Sequence, residues 1–339
     1  MQRRRRMLLG SAVAIGSSGL MGRSEPKHVG ARARRPSLEG LFLQWLGVAG
    51  WELGFGDIRL LFDPYLSRMP FQASDGSLDP SLPLRRDPRT VAAVADRNLS
   101  GPPALILVSH GHFDHLADVP QLLAHRGWDG HRIRTLCDET SHHLLAAMGT
   151  PDRRLADVIR VRGGEYLRFP GFTVEVLRSL HSQSGDHGYF APGTHTGPPR
   201  TPRTIGDLVE GLTLAYVVSF DDGPSVYLSG TSNLAERELT GLRPDVAIVG
   251  MTSHSAVHRY LDRLQNALGE PAVLLPSHHD DMVSPLLGAG AAQRTGESTG
   301  RSAAAVTLEN AAAARGARGT RVVDPAPLRP FDLAAPAGG

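Results

Sequence analysis

The sequence predicts a layered α/β protein in which two sheets lie between helices. Three observations carry that expectation. The chain opens its structured part with short apolar runs and glycine turns. It continues with buried-type strands that alternate with helical segments, and it then adds a hairpin and further strand–helix units. No internal sequence repeat is visible.

Residues 38–66 read as a β-meander. Leu41–Leu46, Trp51–Phe55 and Ile58–Asp63 are short apolar runs split by Gly47, Gly50, Gly54 and Gly56. Pro70, Pro80, Pro83 and Pro88 make residues 67–100 loop-rich, with one short helix expected at Thr90–Ala95. After Pro102-Pro103, Ala104–Ser109 is the kind of continuous apolar run that a fully buried strand shows. Val119–Arg126 and Glu139–Met148 are expected helices, the second closed by Gly149, with Ile133–Leu136 as a strand between them. Val158–Arg160, Glu165–Phe169 and Phe172–Leu177 are expected strands, the last ending at Ser179-Leu180-His181. Leu212–Phe220 and Ser225–Ser229 read as a hairpin across Asp221-Asp222-Gly223-Pro224. Val246–Gly250 and Ala272–Leu275 read as buried strands around a helix at Tyr260–Leu268. Gly, Ala and Ser dominate residues 287–304, a flexible surface loop on this reading. A last helix at Ala305–Ala314 and a last strand at Thr320–Val323 follow, and the chain after Pro325 reads as a poorly ordered tail.

The 339 residues suffice for one large domain or two ordinary ones. The formal net charge of +2 hides an asymmetry. Residues 1–36 hold nine Lys/Arg and one acid, so the rest of the chain carries −6. A mildly acidic body argues against nucleic acid as the main partner. The single cysteine, Cys137, excludes an intramolecular disulfide and a cysteine-rich zinc ribbon; it reads as a buried small apolar residue. Arg3–Arg6 precede a soft apolar stretch, Met7–Met21, and small residues near Ala31–Ala33. This segment resembles an export signal of the twin-arginine kind and predicts a periplasmic or extracellular protein. A disordered basic tail on a cytoplasmic protein is the alternative. The apolar run is too short and weak for a stable membrane span, which needs about 20 residues.

The densest chemistry lies in Ser109-His110-Gly111-His112-Phe113-Asp114-His115, directly after a buried strand. Imidazole suits zinc and similar transition metals, and carboxylate completes such sites. Gly111 is expected to allow the tight turn that aims its neighbours inward. One short loop cannot surround an ion, so distant partners are required. Gly163-Gly164 reads as a turn and not a phosphate loop, because no lysine or helix start follows. No Gly-x-Ser-x-Gly nucleophile elbow is present.

The motif resembles the His-x-His-x-Asp-His signature of the metallo-β-lactamase superfamily. Leu46-Gly47-Val48-Ala49-Gly50-Trp51 and Leu61-Phe62-Asp63-Pro64 are similar to that family's first strands, and the resemblance covers most of residues 38–323. It implies a four-layer αββα sandwich over 38–325, flanked by the basic segment 1–37 and a tail at 326–339. It also implies further ligands. His181 matches the family's second histidine element. In Leu275-Pro276-Ser277-His278-His279-Asp280-Asp281, His278 is favoured over His279 because the family places its ligand two residues after such a proline.

On that resemblance His110, His112 and His181 form one site, and Asp114, His115 and His278 form a second. They would hold one or two zinc ions, with Mn²⁺ or Fe²⁺ as alternatives. The chain departs from the family in Tyr227-Leu228-Ser229-Gly230-Thr231-Ser232-Asn233, where Thr231 stands at the place of a metal-bridging Asp. One tight metal and one weaker or absent metal is therefore the expectation. The implied activity is that of a metal-dependent hydrolase, using a metal-bound hydroxide to cleave an ester, lactone or phosphodiester in a small-molecule or lipid-like substrate. Asp114 would orient the hydroxide, and His279 or Asp280 would assist the leaving group. The alternative task for Asp280 and Asp281 is support of the ligands or of a helix N-terminus. The alternative function is a non-catalytic metal-binding protein that keeps the fold. A di-iron redox role is disfavoured, since neither a further carboxylate ligand nor an electron-carrier domain is visible. The Gly- and Pro-rich stretch 182–210 is expected to cover the site, with His187, Tyr189 and His195 near substrate. The remaining histidines, His143 among them, are expected at the surface.

Overall fold

The computed structural model describes residues 37–288, 301–317 and 319–333. All of the expected export segment at 1–37 except Ser37, and most of the expected loop at 287–304, lie outside the described residues.

Strands β1 (Leu41–Gly47), β2 (Gly50–Phe55) and β3 (Ile58–Phe62) form the anticipated meander. They continue in one sheet with β4 (Leu105–Leu107), β5 (Arg134–Cys137) and β6 (Val158–Arg160). A second sheet holds β7 (Tyr166–Phe169), β8 (Phe172–Arg178), β9 (Leu214–Phe220), β10 (Ser225–Ser229), β11 (Val246–Gly250), β12 (Val273–Ser277) and β13 (Arg321–Val322). Each sheet is antiparallel at first and parallel afterwards: β3 to β6 run parallel in the first, β10 to β13 in the second.

The period of two along each strand sorts side chains into three apolar layers. Leu60 and Phe62 of β3, and Leu105 and Leu107 of β4, face Val226 and Leu228 of β10 and Val246 and Ile248 of β11 between the sheets. Their alternates Leu61 and Ile106 join an outer layer with Val94, Leu122 and Leu144. Ala247, Val249 and Leu274 join the opposite outer layer with Leu264 and Leu308. Both faces of the central strands are covered, which is why these segments read as unbroken apolar runs. The result is a four-layer αββα sandwich.

The first outer layer is capped by α1 (Pro88–Arg97), α2 (Phe113–Leu116), α3 (Val119–Leu123), α4 (Glu139–Ala147) and α5 (Asp152–Leu155). The other is capped by α6 (Tyr260–Leu268) and α7 (Ala303–Ala314). Helix α1 starts earlier than the expected Thr90, because Asp87 accepts from Arg89 N and Thr90 N and Pro88 follows it. Helix α3 stops at Leu123, short of the expected Arg126. The buried Arg154 guanidinium takes the carbonyls of Leu123, Trp128 and His131, which replaces a further helical turn. Cys137 is fully buried at the end of β5. Beyond the expected domain end at 325, β14 (Pro330–Asp332) pairs with β1, and Leu333 is buried. Among the described residues, no helix is long and apolar enough to cross a membrane.

Asp138 joins helix, strand and loop. Its carboxylate caps α4 through Thr140 N and Ser141 N, and it accepts from Leu212 N ahead of β9. Asp138→Ala leaves two buried donors and one half-buried donor short of a partner and is expected to cost about 1–3 kcal/mol, read as a lower urea midpoint at unchanged slope.

Candidate metal centre

The strand ends gather the site. The motif follows β4, and Asp63 follows β3, which is parallel to β4. In the second sheet, β8 runs in the same direction as β10, because two antiparallel steps separate them. His181, Thr231 and His278 therefore emerge at one edge, after β8, β10 and β12. Ligand atoms of His110, His112 and His181 lie within 4.8 Å of one another, as do those of Asp114, His115 and His278. The clusters adjoin: the His110 and His115 rings are 4.0 Å apart between centroids. All six residues expected from the sequence are thus brought together.

Hydrogen bonds fix which nitrogen of each ring faces the others. His112 Nε2 meets the Ala191 carbonyl at 3.2 Å, and His181 Nδ1 meets the Ser182 carbonyl at 2.8 Å. A carbonyl only accepts, so these nitrogens carry the protons. His112 Nδ1 and His181 Nε2 are left with lone pairs. Ser109 Oγ donates to Asp63 Oδ2 (2.5 Å) and so accepts from His110 Nδ1 (2.9 Å), leaving a lone pair on His110 Nε2. That atom sits 3.1 Å from His112 Nδ1. Two lone pairs at this separation repel unless a cation lies between them. The donor set and its orientation fit a divalent transition metal.

Asp63 also accepts His115 Nδ1 at 2.7 Å, which turns His115 Nε2 toward Asp114 Oδ2 at 3.3 Å. His278 Nε2 approaches the same oxygen at 3.0 Å. Two imidazoles and one carboxylate form the second ligand set. Asp63 was legible in the sequence only as the end of a strand before Pro64; its work here follows from the parallel pairing of β3 and β4.

Thr231 carries no carboxylate to bridge the clusters. Its Oγ1 donates to the Leu180 carbonyl at 2.9 Å, and Asn233 Nδ2 donates to the His181 carbonyl at 3.0 Å. The turn after β10 thus clamps the backbone that presents His181. Gly111 has a different reason from the one expected. A Cβ there would lie 2.2 Å from the Val209 carbonyl, and Gly111 N donates to the Glu210 carbonyl at 2.8 Å. Close approach of the 189–211 strap requires glycine, and not an unusual turn. The strap does cover the site as expected. Tyr189 lies 5.1 Å from the His181 ring and Phe190 5.4 Å from His112. His195 is anchored through its backbone to Thr140.

His279 and Asp280 stand outside both clusters. The His279 ring stacks on Trp45 at 4.6 Å, and Asp280 pairs with Arg68 at 2.7 Å while accepting from Val48 N. His279 lines a cavity of about 280 Å³ that opens beside His278, together with Thr252, His254 and Thr307. Of the histidines expected at the surface, His143 is instead buried on α4.

Burial, and then neighbouring rings, hold the first cluster neutral. His110 is pushed well below its ordinary value, His112 down to about 3 and His181 to about 4. Burial alone would push His115 down, but Asp114 and Asp63 outweigh it and raise it to about 10. Burial would raise Asp114, yet His115 and His278 hold it well below the usual carboxylate range. Histidines with depressed folded values bind protons more readily when unfolded. Their contribution to stability is complete above the unfolded value of about 6.5 and is lost as pH falls toward 3–4. His115 is protonated in both states below about 6.5 and adds no slope there. Chelated protein should therefore lose stability between pH 6.5 and 4, and His112→Gln should flatten that slope in urea titrations.

The sequence profile of the family described as "Beta-lactamase superfamily domain" matches residues 59–279. A metal-dependent hydrolase of Methanopyrus kandleri is 25% identical over 247 residues, spanning 70% of this chain and 83% of that protein. The metallo-β-lactamase fold protein YhfI of Bacillus subtilis superposes with a TM-score of 0.51 at 14% identity, over 86% of this chain and 99% of its own. CmlA, a diiron β-hydroxylase of Streptomyces venezuelae, gives 0.50 at 16% identity, over 88% of this chain and 55% of its own. At such identities these two structures speak for the fold alone. Profile, architecture and ligand geometry agree, and the chain belongs to the metallo-β-lactamase superfamily.

Proposed function

We propose that this protein is a metal-dependent hydrolase that cleaves an ester, lactone or phosphodiester in a small-molecule or lipid-like substrate. The observation that carries this reading is the convergence of six ligand atoms, in two adjoining sets, at one edge of the sandwich. The activity named for the Methanopyrus kandleri relative supports it. A bound divalent ion, with Zn²⁺ first and Mn²⁺ or Fe²⁺ as alternatives, supplies a Lewis acid and lowers the pKa of water to about 7.

The chain's own residues do the remaining work. Asp114 is buried and stays ionised, so its carboxylate accepts a hydrogen bond from the attacking water and orients it. Asp280 is occupied by Arg68 and Val48 N, which gives it a holding task and removes it from proton donation. His279 borders the cavity beside His278; burial lowers its pKa, and the neutral ring is a hydrogen-bond partner for the departing group. Leu180, next to His181 in the chain, and Tyr189, whose ring lies 5.1 Å from that of His181, are both exposed and offer apolar surface that suits a lipid-like portion. Without a bridging carboxylate at Thr231, the Asp114–His115–His278 set binds its ion more weakly. The basic N-terminal segment supports export, which fractionation of expressing cells checks.

Purified protein should contain at least one equivalent of metal per chain. Chelation should abolish turnover of one member of a lactone, phosphodiester and thioester panel, and Zn²⁺ or Mn²⁺ should restore it. A metal-free protein whose folding ignores chelator sinks the reading and favours a scaffold. Asp114→Ala is expected to lower kcat by roughly 10²–10⁴-fold with the far-UV spectrum intact. Thr231→Asp should raise the metal content toward two per chain, measured by elemental analysis.

A further inference from the structure

His278 reaches the centre from the far end of the chain on a strained backbone. Its φ of 52° lies in the left-handed region, and so does that of Val48, at 48°. The two residues lock each other. The Val48 carbonyl accepts His278 N at 2.7 Å, Trp45 Nε1 at 2.9 Å and Ser277 Oγ at 3.2 Å. Val48 N donates back to the Asp280 carboxylate at 3.2 Å.

The other hand on Asp280 is Arg68, whose side chain is 2% exposed. Its Nη2 pairs with Asp280 at 2.7 Å and reaches Asp281 at 3.3 Å, while Nε donates to the Ser284 carbonyl at 3.0 Å. One guanidinium thus fastens residues 280–284 to the turn after β3. Gly47 makes room for it: a Cβ there would lie 2.8 Å from Arg68 Nη1. None of these contacts touches the first cluster, which Ser109, Ala191 and Ser182 orient.

We propose that Arg68 is a positioning residue for the Asp114–His115–His278 set. By pinning Asp280, it holds the 278 backbone where His278 Nε2 can share an ion with Asp114. The proposal rests on reading the clusters as a metal centre. It makes the affinity of one cluster, and not of the other, depend on a side chain that touches no ligand atom.

The test is a titration of the chelated full chain with Co²⁺, followed by visible absorption and by competition with a chelating dye. Arg68→Met is expected to weaken the lower-affinity equivalent by at least tenfold and to leave the tighter one within twofold. Arg68→Lys, which keeps a charge-assisted bond to Asp280, should recover part of the loss. Asp280→Asn should reproduce the Arg68→Met phenotype, and it serves as the readout where circular dichroism shows Arg68→Met unfolded. Equal weakening of both equivalents, or of neither, overturns the positioning role while leaving the hydrolase reading intact. Wild-type protein that takes up a single Co²⁺ overturns the positioning role, and wild-type protein that takes up none overturns both.

Discussion

The centre depends on one buried carboxylate. Asp63 is fully shielded from solvent and accepts from Ser109 N, Ser109 Oγ and His115 Nδ1. These bonds set the proton on His115 directly and on His110 through the serine. Both rings then offer their other nitrogen to the space between the sheets' edges. A carboxylate in such a place is tolerated because donors surround it. Gly230 adds to this constraint, since a Cβ there would sit 2.5 Å from both Asp63 Oδ2 and Ser109 Oγ.

The sandwich supplies the geometry that Asp63 organises. Parallel pairing places β3 and β4 ends side by side, and β8, β10 and β12 end at the matching edge of the second sheet. Side chains between the sheets, such as Phe62 and Tyr216, fix the distance between those edges. Tyr216 also donates to the Val108 carbonyl at 2.6 Å, which ties the second sheet to the strand that leads into the motif.

Much of this was legible in the sequence, for a physical reason. Strands covered on both faces must be apolar throughout, so β4, β11 and β12 announce themselves, and polar residues that follow them stand out as site residues. His110 to His115, His181 and His278 were found in that way or through the family resemblance. What escaped were groups whose role depends on pairing between distant segments. Asp63 reads as a strand end, Arg68 as a loop cation, and Ala191 offers only a backbone carbonyl. Asp280 carries the right chemistry for proton transfer, but its ion pair with Arg68 is invisible without the fold. The edge strand Pro330–Asp332 follows a proline-rich stretch with no periodicity, and it exists because β1 presents an open edge.

The strap over the motif ties access to chemistry. Ala191 sits at φ 36°, and its carbonyl receives both His112 Nε2 and Glu210 N. Lifting that segment to admit a bulkier guest would withdraw the acceptor that sets the tautomer of His112. Covering the motif and aligning one of its imidazoles therefore reside in the same peptide unit, so a shift of the strap would also release the ring of His112.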